Sequence, residues 1–169
     1  MVGEVGVDRL AVEPLAARLN ATKGSFYWHF TDRAALLDAV VANWESTATA
    51  RIIEDVNAAP PTDRLRRLIE TAIGHPSDDH VEWMILSAAD HPRVGPVVER
   101  VHRNRLNYLR GLFAAAGVSA AAARARITYA AYLGHLQLSV AGGVQTDPDA
   151  RRAFVDEIVA TLGTSERSD

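Results

Sequence analysis

Asn20-Ala21-Thr22-Lys23-Gly24-Ser25-Phe26-Tyr27-Trp28-His29-Phe30 decides how this chain folds. Asn20 suits the left-handed residue that closes a helix. Thr22 suits the N-cap of the next one, its hydroxyl accepting from the backbone of Gly24 or Ser25. So short a turn between two helices forces a steep crossing, the geometry of a helix-turn-helix, whose second helix enters the major groove of DNA. On that second helix, residues 23–30, Phe26 and Phe30 stand one turn apart and anchor it inward. Lys23, Ser25, Tyr27, Trp28 and His29 occupy the other faces. Exposing so many aromatic and donor side chains over two turns burdens solubility, whereas against a duplex each has a use. Lys23 donates to guanine or phosphate, Ser25 reads a base edge, Tyr27 and His29 hold phosphates, and Trp28 supplies apolar contact. Gly24 permits close backbone approach, and the helix N-terminus favours anions. The same aromatics would also serve the core of a small bundle, so the stretch alone leaves two readings open.

Outward from this stretch the chain reads as helix almost throughout. Alanine is abundant, β-branched runs are short, and apolar residues recur at spacings of three and four. Residues 12–19 place Val12, Leu15, Ala16 and Leu19 on one face, with Pro14 in the first turn. Thr31 or Asp32 caps a longer helix over 33–56 whose stripe is Leu36, Leu37, Val40, Val41 and Trp44. Arg33 opens that helix, placed to clamp a phosphate. Pro60-Pro61 breaks the chain in a linker over 58–63. Further helices are predicted from Thr62 or Asp63 to residue 73, over 78–89 with Ser77 as cap, and over 94–116 with Gly117 ending it. Ser119 caps another to residue 141, and Asp147-Pro148 opens a last one over 148–162. The expected fold class is all-α: a DNA-binding helix-turn-helix over residues 1–46 and a ligand-binding and dimerisation helical bundle over 47–169.

Of the 169 residues 48% are hydrophobic, enough for a sizeable core. The formal net charge of -3 is not the basic footprint usual for nucleic-acid binders, so any DNA contact must come from a local patch. Cysteine is absent, which excludes disulfides, thiolate metal sites and thiol nucleophiles. No apolar run reaches the roughly 18 residues that span a bilayer, and the start lacks a signal-peptide pattern; a cytoplasmic protein with no membrane partner is expected. His75, His80, His91 and His102 lie near Asp78, Asp79 and Asp90, but His75 and His80 straddle a helix break. No HExxH, P-loop, GxSxG or dinucleotide motif occurs. No catalytic residue, metal site or cofactor is therefore expected, and the protein is not expected to be an enzyme.

Taken together, Leu15-Ala16-Ala17-Arg18-Leu19, Tyr27-Trp28-His29-Phe30 and Ala35-Leu36-Leu37-Asp38-Ala39-Val40, at this spacing, resemble the signature of the TetR family of transcriptional regulators over residues 4–45. The resemblance implies a nine-helix fold and a homodimer. It places the recognition-helix contacts on Thr22, Lys23, Gly24, Ser25, Tyr27, Trp28 and His29, and the phosphate-binding basic residue on Arg33. Three departures stand out. Ala11 lacks the hydroxyl usual at the start of the second helix. Glu13 would be repelled by phosphate where the family often has a polar or basic residue. The family's first helix has no counterpart beyond residues 1–5.

The resemblance further implies a repressor that binds a palindromic double-stranded DNA operator as a dimer and responds to a small molecule. The alternative is a dimeric small-molecule-binding helical module that has lost DNA binding. Candidate pocket residues are Trp83, Leu86, His102, Leu106, Tyr129, Leu133 and Gln137, which would also suit ordinary core; the effector is expected to be hydrophobic. Ala130, Ala131, Gly134, Leu138, Phe154, Ile158 and Leu162 are candidates for a four-helix dimer interface or for internal packing.

Overall fold

The structure, a computed structural model, describes residues 22–73, 76–142 and 147–163. The helix expected over residues 12–19 and its Asn20 cap lie outside these residues. The helices are α1 Lys23–His29, α2 Arg33–Glu45, α3 Arg51–Ala58, α4 Arg64–Ile73, α5 Pro76–Leu86, α6 Gly95–Ala115, α7 Ala121–Val140 and α8 Pro148–Leu162. A π-helical turn, Ser46–Ala50, joins α2 to α3, so residues 33–58 form one unbroken rod. No strand occurs among the described residues, in keeping with the all-α expectation.

Local chemistry accounts for the boundaries. Thr22 Oγ1 accepts from Ser25 N at 3.1 Å and caps α1. Asp32, extended, accepts from Ala35 N at 2.7 Å and caps α2, which settles the choice between Thr31 and Asp32. Within the π turn, Thr47 donates its hydroxyl back to the carbonyl of Asn43 at 2.8 Å, a bond that loosens the helical ladder where an extra residue is accommodated. At the end of α6, Gly117 takes a φ of 68° and Val118 N bonds Phe113 O at 3.1 Å. Val118 then packs against Phe113, the hydrophobic contact that completes a Schellman close. Asp147 accepts from Ala150 N at 3.2 Å ahead of Pro148 and opens α8 as expected.

Two expected caps are not used. Pro76 itself opens α5, which places Ser77 inside the first turn, and the helix ends at Leu86 before a run of turns. Ala120, not Ser119, precedes α7; its φ of 52° makes the short reversal out of α6 and leaves Ser119 one residue too early to cap.

The core has three centres. Leu36, Leu37, Val41 and Trp44 of α2 pack with Ile85 and Leu86 of α5, Val98 and Val101 of α6 and Leu136 of α7. Leu109 and Phe113 of α6 meet Ala125 and Tyr129 of α7. Ile69 and Ile73 of α4 meet Val155 and Ile158 of α8. Each such fully buried aliphatic or aromatic side chain stabilises by roughly 1.5–3 kcal/mol. Arg93, in the turn before α6, pairs with Asp38 at 2.6 Å, and Arg100 of α6 forks onto both Glu45 oxygens at 2.6 Å, tying the rod down at the surface.

Candidate functional site

Two features stand apart from the ordinary core. The first is the outer face of α1. Tyr27 is 58% exposed and Trp28 82% exposed, and Gly24, Ser25, His29 and Arg33 are exposed beside them. The Trp28 and His29 rings meet edge to face with centroids 4.7 Å apart. A Cβ added at Gly24 would meet nothing nearer than Thr22 Oγ1 at 3.7 Å, so the chain itself does not require glycine there. Phe30, half-buried, packs on the first core centre and holds the C-terminal end of α1 against the rod. The side chains of Lys23 and Phe26 lie outside the described residues.

The second feature is a cavity of about 880 Å³ walled by the rod and by α4, α5, α6, α7 and α8. Leu36, Val40, Trp44, Ile52, Ile69, Ile85 and Leu109 supply its apolar lining. At one wall sits a buried ion pair: Arg105 Nη1 donates to Glu82 Oε1 at 2.5 Å. Arg105 Nε donates to Thr49 Oγ1 at 3.0 Å and Nη2 to the Ala48 carbonyl at 2.8 Å, both in the π turn. Tyr132 donates to Glu82 Oε1 at 3.1 Å, and Trp44 Nε1 donates to Glu82 Oε2. The Arg105 guanidinium lies 5.6 Å from the Trp44 ring centroid and 5.8 Å from that of Tyr132. Burial alone would favour neutral Arg105, but the Glu82 carboxylate outweighs it and holds the guanidinium above its ordinary value. Burial also pushes the hydroxyls of Tyr132 and Tyr129 up, so both remain donors. His102 Nδ1 and the Tyr129 hydroxyl share a hydrogen bond of 2.7 Å.

Residues 1–40 match the model of the bacterial regulatory proteins of the tetR family. Over 40 residues the chain is 48% identical to the tetracycline repressor protein class A from transposon 1721 of Escherichia coli and 45% identical to the class G repressor of Vibrio anguillarum. Over these N-terminal residues the chain is similar to the TetR family. The matched segment is 24% of this chain and spans 18% and 19% of those two relatives. Solved structures share the fold over nearly the whole chain. A candidate fatty acid metabolism regulator of Clostridium perfringens superposes with a TM-score of 0.76 at 12% identity, covering 96% of this chain and 92% of that one. A candidate TetR-family transcriptional regulator of a Rhodococcus species gives 0.72 at 19% identity, over 95% and 92%.

Within this fold, Tyr129 alone of the seven expected pocket residues lines the cavity. Leu86 is buried in the first core centre with Trp83 and Leu133 packed on it, Leu106 packs on the second, His102 stands behind Tyr129, and Gln137 is exposed. The cause is a rotation of each helix: the wall takes Glu82 and Ile85 in place of Trp83 and Leu86, and Arg105 and Leu109 in place of His102 and Leu106. Glu82, Arg105, Thr49 and Thr128 were missed. Their signal was a polar residue recurring on a buried stripe, Val98-Val101-Arg105-Leu109 on α6 and Asp79-Glu82-Ile85 on α5. Of the interface candidates, Ile158 is buried, Phe154 stacks on His135 and Leu162 packs inward, whereas Ala130 and Leu138 face outward. No described helix is long and apolar enough to cross a membrane.

Proposed function

We propose that this chain is a DNA-binding transcriptional regulator, a ligand-responsive repressor that binds a palindromic double-stranded DNA operator as a homodimer. The observation that carries this reading is the outward polar-aromatic face of α1, with Tyr27 58% and Trp28 82% exposed while Phe30 clamps the helix to the rod. Thr22, Lys23, Gly24, Ser25, Tyr27, Trp28 and His29 are assigned to the duplex, with Arg33 at the start of α2 contributing to the phosphate backbone. Two readers on one dimer require half-sites about one helical turn, or a multiple of it, apart.

The same rod that seats α1 also walls the cavity through Leu36, Val40, Trp44 and Ile52. A molecule that binds the cavity better at one rod position shifts the population of reader spacings, and by reciprocity the operator shifts the affinity for that molecule. Dimerisation is assigned to α7, where Ile127 is 54% and Leu138 49% exposed. With Ala131 and Gly134 they form one stripe, and nothing lies within 4 Å of a Cβ built at Gly134.

The test is selection of bound sequences from a random duplex pool, followed by gel-shift titration against salt. A two-fold-symmetric sequence should be enriched, with each neutralised phosphate steepening the log–log salt dependence by about 0.9. Lys23→Ala and Tyr27→Ala should each weaken binding roughly ten-fold, as a hydrogen bond to a charged phosphate is worth ~1.5–3 kcal/mol. A pool without enrichment would remove the repressor reading and leave the dimeric small-molecule-binding module in its place.

A further inference from the structure

Thr128 lies on α7 in the cavity wall and is only 4% exposed, yet its Oγ1 has no hydrogen-bond partner among the described residues. A buried hydroxyl left without a partner is unfavourable, so its persistence on a cavity wall points to a partner that arrives from outside. The other buried polar side chains on that wall, Thr49, Asp79 and Glu82, are already engaged, while Arg51 and Asp55 stand at its exposed rim. Arg105 directs Nε, Nη1 and Nη2 at Thr49, Glu82 and Ala48, and both Glu82 oxygens accept from neighbours. Asp79 accepts from Ser139 at 2.7 Å, and the Arg151 guanidinium opposes its charge at His135. Glu82 is thus balanced by Arg105, and Asp79 holds the Ser139 hydroxyl. An ionic guest would enter uncompensated, at a cost an apolar wall does not repay. The volume, about 880 Å³, falls in the range of pockets that enclose a single small organic molecule.

We propose that the cavity takes an uncharged, mostly apolar molecule bearing one carbonyl or hydroxyl oxygen, and that this oxygen hydrogen-bonds Thr128 Oγ1. The inference rests on the ligand-responsive reading above and names the chemistry of its ligand. It sets the cavity apart from one built for a free carboxylate or an amine, because among the described residues the buried guanidinium facing the space, that of Arg105, is held by Glu82.

Methyl undecyl ketone and dodecanoate differ only in a methyl group replaced by an anionic oxygen, and dodecylammonium supplies the cationic counterpart. Each is titrated into the full chain at pH 7 while tryptophan fluorescence is read, Trp44 being on the wall. The ketone should bind about ten-fold or more tighter than either ion. Thr128→Val, which keeps the shape, should weaken the ketone about five-fold, the worth of one net hydrogen bond, while Thr128→Ser should stay within about two-fold. Without ligand, the valine variant should melt no lower than the parent and up to ~2–4 °C higher, since an unpaired buried hydroxyl is removed. Either ion matching the ketone, no probe binding at all, or unchanged ketone affinity in Thr128→Val would overturn the proposal. Gel shifts with the selected operator separate the two readings. An ion that binds and releases DNA leaves ligand response standing and removes the neutral chemistry. A ketone that binds through Thr128 and releases nothing does the reverse.

Discussion

Glu82→Gln tests whether the buried network at the cavity wall holds the fold together. The Glu82 and Arg105 side chains are 8% and 13% exposed and 2.5 Å apart, so solvent screens the pair little. Removing the carboxylate strands a guanidinium that cannot shed its proton, and the amide nitrogen of the replacement would also face the Trp44 Nε1–H, donor against donor. Breaking such a pair from one side costs ~3–5 kcal/mol. For a chain of this size each kcal/mol is worth ~2–4 °C, so the melting temperature should fall by ~10 °C. Arg105→Met should cost less, because the carboxylate it leaves still accepts from Tyr132 and Trp44. The double variant Glu82→Leu with Arg105→Met should recover most of the loss, since a buried ion pair replaced whole by apolar groups is often near neutral. Thermal melts followed by circular dichroism on the parent, Glu82→Gln, Glu82→Leu, Arg105→Met and the double variant check the account, with the leucine and methionine singles closing the cycle. Glu82→Gln melting within ~2 °C of the parent, or a double variant as unstable as the sum of the singles, would refute the account.

Leu138→Arg places a charge on the exposed α7 stripe, 49% exposed in the single chain, and should shift the dimer to monomer in analytical ultracentrifugation without lowering the helical signal. His102 and His135 are both lowered from the ordinary 6.5, chiefly by burial, with the Arg105 charge adding to the effect at His102. The unfolded chain therefore takes up these protons first. Their contribution is fully present above pH 6.5 and is lost as pH falls through that value toward the folded-state titrations, and His102→Asn should make the decline in melting temperature shallower.

The helical layout was legible because its signals are local. Asp32 and Asp147 cap through their own side chains, Gly117 supplies the positive φ that ends α6, and the stripe of α2 repeats at helical spacing. Thr22 and the outward aromatics of α1 were legible for the same reason. The cavity wall was not, because it depends on how far each helix is rotated about its axis. A rotation of one residue, about 100°, exchanges Glu82 for Trp83, and only the packing of several helices together selects it. Apolarity was the wrong guide here. The residues that define the wall chemically, Glu82, Arg105 and Thr128, are polar ones on buried stripes, and their long-range partners are not encoded in spacing.

On the proposed ligand-responsive reading, the route between the cavity and α1 is decided by which contacts hold the rod firmly. Asp38 with Arg93 and Glu45 with Arg100 are surface pairs, about half exposed at their arginines, and such pairs contribute little. The firm attachment lies deeper, where Arg105 of α6 and Glu82 of α5 together grip Trp44 at the end of α2 and Ala48 and Thr49 in the π turn. That turn is also where Thr47 has loosened the backbone ladder. The residues gripped by Arg105 thus lie in the same π turn that accommodates the extra residue, and they line the cavity. A guest seated against Thr128 shares that cavity wall with Trp44, Thr49 and Arg105. Phe30, Leu36 and Val40 line the same cavity, so on the proposed reading a guest that displaces the rod acts on the seat of α1 directly as well as through the π turn.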